Sequence, residues 1–467
     1  MLATRLQVAF TQQHISGVGT ITTRTYEQAI PGPTLRVRPG DTLLLTQENM
    51  LPPDPHPATE ADHNVPHHFN TINLHTHGLH VSPTGDADNI FRTFPPRDQA
   101  HGLSDNTYLS RIHIPDNHPA GTFWYHPHVH GATAVQLSSG MAGVLIVEGD
   151  IDSAPEIAAA KDVVMCINEL KLNTDGQVPD LRHDDDLRTA RPIFLVNGQL
   201  EPVITIRPGE VQRWRLVNAS AFTALPITLQ HHLMHQLAMD GVAFTAPRTQ
   251  ETVSLAMGNR TDILVKGRQP GTYSLTAGNI LLATMVVTGE PVADMQLPTS
   301  LPGRVPAIDG KVTGRRTLNF HTDHGVFPGR PFPNAYRILG TGVTPPLVPA
   351  ASRTDPQYGR FNPSFVNHRL QLGDVEEWTL TNDSHMHSNH PFHLHTNHFL
   401  VTHVNGRALD PPVWQDTVGI DPNGEVVIRV CFDDFTGAAM LHCHHSQHGD
   451  EGMMQIVEYV PEGLPEQ

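Results

Sequence analysis

The sequence predicts an all-β protein of three consecutive Greek-key β-sandwich domains, and three observations carry that expectation. The 467 residues include 37 Gly and 40 Pro, with aromatics at only 6% and charged residues at 16%, a composition of many short strands and turns rather than long helices. One unit recurs three times: PTLRVRPGDTLLLTQEN (33–49), PVITIRPGEVQRWRLVN (202–218) and HRLQLGDVEEWTLTN (368–382) each alternate polar with apolar residues into a Gly-acidic turn and out again to an Asn. The step from Gly40 to Asn49 is repeated from Gly209 to Asn218 and from Gly373 to Asn382. Each unit then closes on a related strand, GTFWYHPH (121–128), GTYSLTAG (271–278) or GAAMLHCH (437–444). Period-2 alternation bounded by Gly, Pro and Asn favours antiparallel sandwiches over a parallel sheet covered by helices.

Taken in chain order, residues 1–150 form the first domain, with the hairpin about Gly40, an HTHGL string at 75–79 and the closing strand. Residues 151–290 form the second, built on the hairpin about Gly209. A Pro-rich stretch, 291–316, reads as a linker. Residues 317–467 form the third, whose hairpin about Gly373 precedes HPFHLH (390–395) and LHCHHSQHGDEGMM (441–454).

Those last two strings carry chemistry. On a strand, successive side chains point to opposite faces, so Cys443 faces one way while His442 and His444 face the other, roughly 7 Å apart. One thiolate and two imidazoles are thereby offered to separate metals through adjacent peptide units. His448 and Met453 lie where the chain can fold back toward Cys443. With His390 they complete one Cys, two His and a weak Met, the blue-copper ligand set, and zinc would not need the thioether.

Aligning the three repeats separates domains with donors from the one without. His442, Cys443 and His444 correspond to His126, Pro127 and His128 in the first domain and to Thr276, Ala277 and Gly278 in the second. His390, His393 and His395 correspond to Ile72, His75 and His77, and to Leu225, Thr228 and Gln230. Only the third domain can build a blue site, and the first and third each keep two HxH pairs. His75, His77, His126, His128, His393, His395, His442 and His444 are too many for one ion and suit three coppers held by two, three and three imidazoles. The second domain, lacking donors, is expected to hold the other two in position and to wall the substrate cleft.

The formal net charge of -17 disfavours nucleic acid or anionic membrane partners. There is no apolar run long enough to span a membrane. The start, MLATRLQVAF, has no signal-peptide core, so the protein is cytoplasmic or an export signal has been exchanged for Met1; a periplasmic or extracellular place is the favoured reading. Three cysteines make no disulfide framework. Cys166 and Cys431 lie in apolar runs as buried thiols, with a Cys166–Cys431 bridge as the open alternative.

The chain resembles the multicopper oxidases of the three-domain, laccase-like bacterial type. HTHGL, WYHPH, HPFHLH and HCHHSQHGDEGMM stand in that family's order, and the second domain's FLVNGQ, IRPGEVQRWRLVN, HQLAMDG and MGNRTDILV also resemble its members. The resemblance covers nearly the whole chain and implies three cupredoxin-like domains. It also implies four coppers. His390, Cys443 and His448 would bind the type 1 ion with Met453 axial, and His75 and His393 the type 2 ion. His77, His126 and His444 would bind one type 3 ion, and His128, His395 and His442 the other. The implied reaction passes single electrons from a reductant through Cys443 into His442 and His444, and reduces O₂ to two waters. Protons require a nearby carboxyl; the resemblance implies an Asp after His77, either Asp88, which is favoured, or Asp86 by gapless counting. Many bacterial relatives carry a Glu where this chain has Gly449, followed by Asp450 and Glu451.

The 13 Met form no Met-rich insert before the third domain. A phenol or aromatic amine approaching an exposed edge of His390 is therefore the expected reductant. Oxidation of cuprous, ferrous or manganous ions by the same copper set is the alternative. A copper nitrite reductase needs no type 3 pair, and a copper carrier needs no intact cluster. The expected assembly state is a monomer. His130, His385, His387, His398, His445, His63, His67 and His68 are expected to support the ligands or to lie at the surface, and Trp124 and Phe392 to pack beneath them.

Overall fold

The computed structural model describes residues 1–54, 63–96, 107–179, 189–308, 310–324, 334–341, 358–384 and 389–463. His385 and His387 lie outside these. Among the described residues the fold is almost entirely β, with helix confined to short pieces such as Thr133–Ser138, Pro155–Ala159 and Ser446–Asp450.

Six sheets fall into three matching pairs. In the first pair, Gly19–Tyr26, Leu2–Ile15, Thr42–Asn49 and Thr107–His113 make one sheet, and Gly32–Val37, Gly143–Val147, Gly121–His126 and His75–His77 the other. The same plan recurs twice. The opening strand runs parallel to the strand that ends in the repeated Asn, as with Lys161–Leu172 beside Val211–Asn218 and Gly314–Asp323 beside Val375–Asn382. Each closing strand pairs antiparallel with the strand that carries, or in the second domain has lost, the HxH motif. Strands adjacent in a sheet but distant in sequence require crossovers between layers, in keeping with Greek-key connections. Apolar side chains from both layers meet between them: Leu43, Leu45, Phe123 and Leu145 in the first; Trp214, Ile263, Leu275 and Met285 in the second; Trp378, Ile428, Phe392 and Val457 in the third.

The repeated turn has a physical reason. Gly40, Gly209 and Gly373 all take positive φ, between 83° and 88°, which a residue with a Cβ rarely adopts. The repeated Asn does equivalent work each time. Oδ1 of Asn49, Asn218 and Asn382 accepts the backbone N–H two residues on, and Nδ2 donates to carbonyls elsewhere in the same sandwich: Asn70 and Phe94, Leu255 and Thr223, and Ile420. A short amide thus fixes where each hairpin turns toward the partner layer.

The clean alternation of Thr42–Asn49 matches a strand with one face buried. Val211–Asn218 is buried on both faces, because Arg213 and Arg215, on its outward side, pair with Asp152, Asp162 and Asp262, and Arg215 also donates to Thr122 of the first domain. The stretch expected as a linker packs against the second domain through Met295, Leu297 and Leu301, and a strand already begins at Gly314. All three cysteines are free. Cys166 is buried as expected, whereas Cys431 is half-buried, its Sγ donating to Asp433 Oδ1 at 2.8 Å.

Asn218→Ala strips a buried amide from several carbonyls in the domain without donors. Its expected cost is about 2–3 kcal/mol of unfolding free energy, read by urea denaturation. An unchanged midpoint would contradict the role given to the repeated Asn.

Candidate metal centre

Register places the histidines. His75 lies directly opposite His126, and His393 opposite His442, so each pair projects from the same face of its sheet. The corresponding pair in the second domain is Thr228 opposite Thr276, whose hydroxyls bond to each other at 2.9 Å. The first and third sandwiches bring their histidine faces together. His75 stacks on His395 and His77 on His393, each with ring centroids 3.8 Å apart and planes within 10°.

All eight histidines converge in this buried interface. Nε2 of His75 lies 3.4 Å from Nε2 of His393. Nε2 of His442 lies 3.0 Å from that of His128 and 3.3 Å from that of His395. His77 approaches His444 through Nδ1, at 3.3 Å. On the opposite face of the closing strand, Cys443 Sγ lies 3.5 Å from His390 Nδ1 and 3.7 Å from His448 Nδ1. Met453 is buried beside them, its backbone bonded to both Cys443 and His448.

The lone pairs decide whether a metal suits this arrangement. Nδ1–H of His75 donates to Asp88 Oδ2 at 2.9 Å, of His126 to the Pro127 carbonyl, of His393 to the Asp416 carbonyl and of His442 to the Cys443 carbonyl. Each Nε2 is left as a bare acceptor facing other acceptors, and Nε2 of His126 is buried without a hydrogen-bond partner. Burial opposes relief of this crowding by protonation at the neighbouring rings. Burial, with mutual repulsion among the rings, holds His77, His126, His128, His393, His395 and His444 well below the ordinary imidazole range, and burial pushes His442 down to about 4. Burial likewise pushes the Cys443 thiol up and His390 down to about 4. Neutral imidazoles converging in a dry site, beside a thiol that ionises only with a cation's help, suit soft transition-metal ions.

Carboxylates frame the cluster. Asp88 is buried, accepting from His75 and from the Thr76 N–H at 2.8 Å. Asp86 is exposed and paired with Arg92, so the gapless alternative places its carboxylate outside, on solvent. Asp416 was not singled out from the sequence, yet its Oδ1 accepts from His77 Nε2 at 2.9 Å. The WQDTV string around it carries no signal in one sequence. Asp450 lines a small cavity with His126, His128, His442 and His444, and accepts from the N–H groups of Gly131 and Ala134. Burial raises Asp450 to about 7. Burial, then the neighbouring charge of Asp416, raises Asp240 to about 7.

The expected exposed edge of His390 is corrected by the structure. His390 is 0% exposed and His448 5%. Phe320 covers the first, and His448 lies between His445, at 3.7 Å, and Tyr336, at 4.2 Å, both nearly parallel to it. The cavity of about 260 Å³ lined by His80, His118, His398, Trp414 and Cys431 includes none of the donors. Trp124 stacks on His126 at 4.2 Å, and Phe392 packs among Phe320, Trp378 and Phe399. His398 is buried against Asp240 and Asp416. No described helix is long and apolar enough to cross a membrane.

Multicopper oxidase family models match residues 63–151, 159–293 and 344–463. The multicopper oxidase mco of Staphylococcus aureus is 23% identical over 437 residues, covering 92% of this chain and 82% of its own. A metallo-oxidase of Campylobacter jejuni superposes with a TM-score of 0.76 at 22% identity, over 98% of this chain and 92% of that one. A laccase of Pediococcus acidilactici also gives 0.76 at 22% identity, over 98% and 89%.

Two predictions follow from the donors and their burial. Asp88→Asn leaves one acceptor oxygen for two donors, His75 Nδ1–H and the Thr76 N–H, so copper supplied to the protein is expected to be retained about 10- to 100-fold less tightly, read as copper per chain after chelator dialysis. The second concerns metal-free protein, in which His118 is held by burial at about 3, against an ordinary 6.5. A base depressed by folding contributes stability that is complete above its unfolded value and is lost as pH falls toward the folded one. The thermal midpoint should therefore drop from about pH 7 to about pH 5, and drop less in His118→Gln. Asp240 and Asp450 act in the opposite sense, but the depressed histidines outnumber them.

Proposed function

We propose, from the premise that this chain belongs to the multicopper oxidase family, that it couples four one-electron oxidations of a phenolic or aromatic amine reductant to the reduction of O₂ to two waters. The family makes it a copper-dependent oxidoreductase that uses O₂. The count of four coppers and the role of each ligand are the proposal. His390, Cys443, His448 and Met453 would hold a type 1 ion, and His75 and His393 a type 2 ion. His77, His126 and His444 would hold one type 3 ion, and His128, His395 and His442 the other. Residues 1–150 and 317–467 supply these donors and 151–290 none. Bound copper supplies single-electron transfer at the thiolate site and multi-electron reduction of oxygen at the cluster.

One observation carries the reading: Cys443, at the end of the closing strand, sits between His442 and His444 in sequence, its thiol beside His390 and His448 and its two neighbours' imidazoles in the other cluster. Its thiol belongs to one donor set and its neighbours' imidazoles to another, so two peptide units join the sites with no rearrangement. The protein's own part is to keep the imidazoles neutral, orient them through Nδ1 acceptors and exclude bulk water. Asp88, buried beside His75, is the carboxyl that would supply protons near the cluster. Asp450, one residue after the position at which many bacterial relatives carry a Glu, lines the cavity beside the cluster.

Electrons would reach Cys443 through His448 and the rings stacked on it, because His390 and His448 are both buried. Metal-ion oxidation is the second reading. It is favoured by the net charge of -17, which concentrates cations, and agrees with the metallo-oxidase among the structural neighbours.

Copper-loaded protein is expected to be blue and to consume O₂ rapidly with a methoxyphenol. Uptake with Cu(I) alone would select the metal-ion reading. Cys443→Ser is expected to abolish both colour and uptake while the cluster histidines stay in place, and a blue serine variant would refute the thiolate assignment.

A further inference from the structure

We infer that the donor-free second domain sets the geometry of the cluster through Arg260, a positioning residue that acts on His77 through Asp416. This rests on the reading that the eight histidines hold three coppers, and deepens it.

His77 is the reversed ring of the cluster. Where a hydrogen bond fixes Nδ1 of a cluster histidine, as in His75, His126, His393 and His442, Nε2 is the free donor atom. His77 commits Nε2–H to Asp416 Oδ1 and turns Nδ1 toward His444. That orientation requires a fixed acceptor on its far side. Asp416 is fixed by a bidentate grip, Arg260 Nη1 to Oδ1 at 2.8 Å and Nη2 to Oδ2 at 2.6 Å. The same guanidinium donates to the Gly258 carbonyl and to the Thr122 carbonyl of the first domain, so one fully buried side chain ties all three domains at the cluster. Neighbouring groups of the second domain hold the backbone on which Asp416 sits. Asn259 donates to the Thr417 carbonyl, and Asp240 accepts from the N–H groups of Asp416 and Thr417.

Two glycines make the fit obligatory. A Cβ on Gly78, next to His77 and at φ +84°, would lie 2.2 Å from Arg260 Nη2 and 2.4 Å from Asp416 Oδ2. A Cβ on Gly258, at φ +89°, would meet the His444 and His77 rings at 3.0 Å. The second domain thus touches the cluster with bare backbone on one side of His77 and a fork of donors on the other. Lysine would keep the charge of Arg260 but cannot span both oxygens.

The test compares full-length, copper-loaded wild type with Arg260→Lys, reading copper per chain, the visible absorption of the thiolate site, and the near-ultraviolet absorption of the coupled pair. Arg260→Lys is expected to keep the blue absorption, which also reports that the third domain is folded. It should lose the near-ultraviolet band and hold the pair about 10- to 100-fold less tightly. Gly258→Ala, which alters no charge, is expected to show the same selective loss. Arg215→Lys weakens another buried tie between the first two domains, with Asp262 and Thr122, and is expected to keep both bands. Arg260→Lys with wild-type copper and both bands would overturn the inference, as would equal losses in Arg215→Lys. A blue wild type that lacks the near-ultraviolet band would overturn the underlying reading as well.

Discussion

Nitrogen lone pairs that face one another across little more than 3 Å repel, and a protein tolerates them only where a cation is to sit. This constraint organises the molecule. Each Nδ1–H that is spent on Asp88, on a peptide carbonyl or on Cys443's own backbone fixes a tautomer and aims the opposite nitrogen inward. Burial then forbids the protonation that would otherwise relieve the crowding. The sandwiches, their register and the fit of one domain on another are means of holding neutral imidazoles where they would not gather unaided.

Much of this was legible in the sequence because β-structure writes its geometry in period two. The Gly-acidic turn, the Asn that ends each hairpin and the HxH pairs all fall at matching positions, so alignment of the chain with itself finds the faces that carry donors. The opposed pair Thr228 and Thr276 occupies the places of His393 and His442, as that self-alignment requires. Choosing between Asp88 and Asp86 needed the fold, since a two-residue shift in one loop moves a carboxylate from the cluster to solvent. The bonds between domains were not legible. Arg215 and Arg260 lie on strands of the second domain, and their bonds to Thr122 and Asp416 of the neighbouring domains leave no local pattern. Asp416 has no local signature because its partners, His77 and Arg260, are 339 and 156 residues away. The MGNRTDILV segment was flagged by resemblance, though nothing in it revealed a contact with a histidine.

The three repeats also illustrate how a fold survives the loss of its chemistry. The second domain keeps the layers, the parallel first strand and the closing ladder, and has Thr228 and Thr276 in place of the directly opposed histidines. Freed from holding metal, its strand beginning at Arg260 presents a guanidinium to its neighbours instead. Around Cys443 the third domain keeps its donors and packs rings against them, Tyr336 and His445 both stacking on His448.

The ring-on-ring stacking of His75 with His395 and of His77 with His393 has a consequence for how such a molecule is made. The partners in these stacks stand more than 300 residues apart. A chain emerging from the ribosome exposes the first four histidines of the cluster long before their counterparts exist, so no half-built intermediate offers a complete cage. The site takes shape only after the first and third sandwiches have each folded and met.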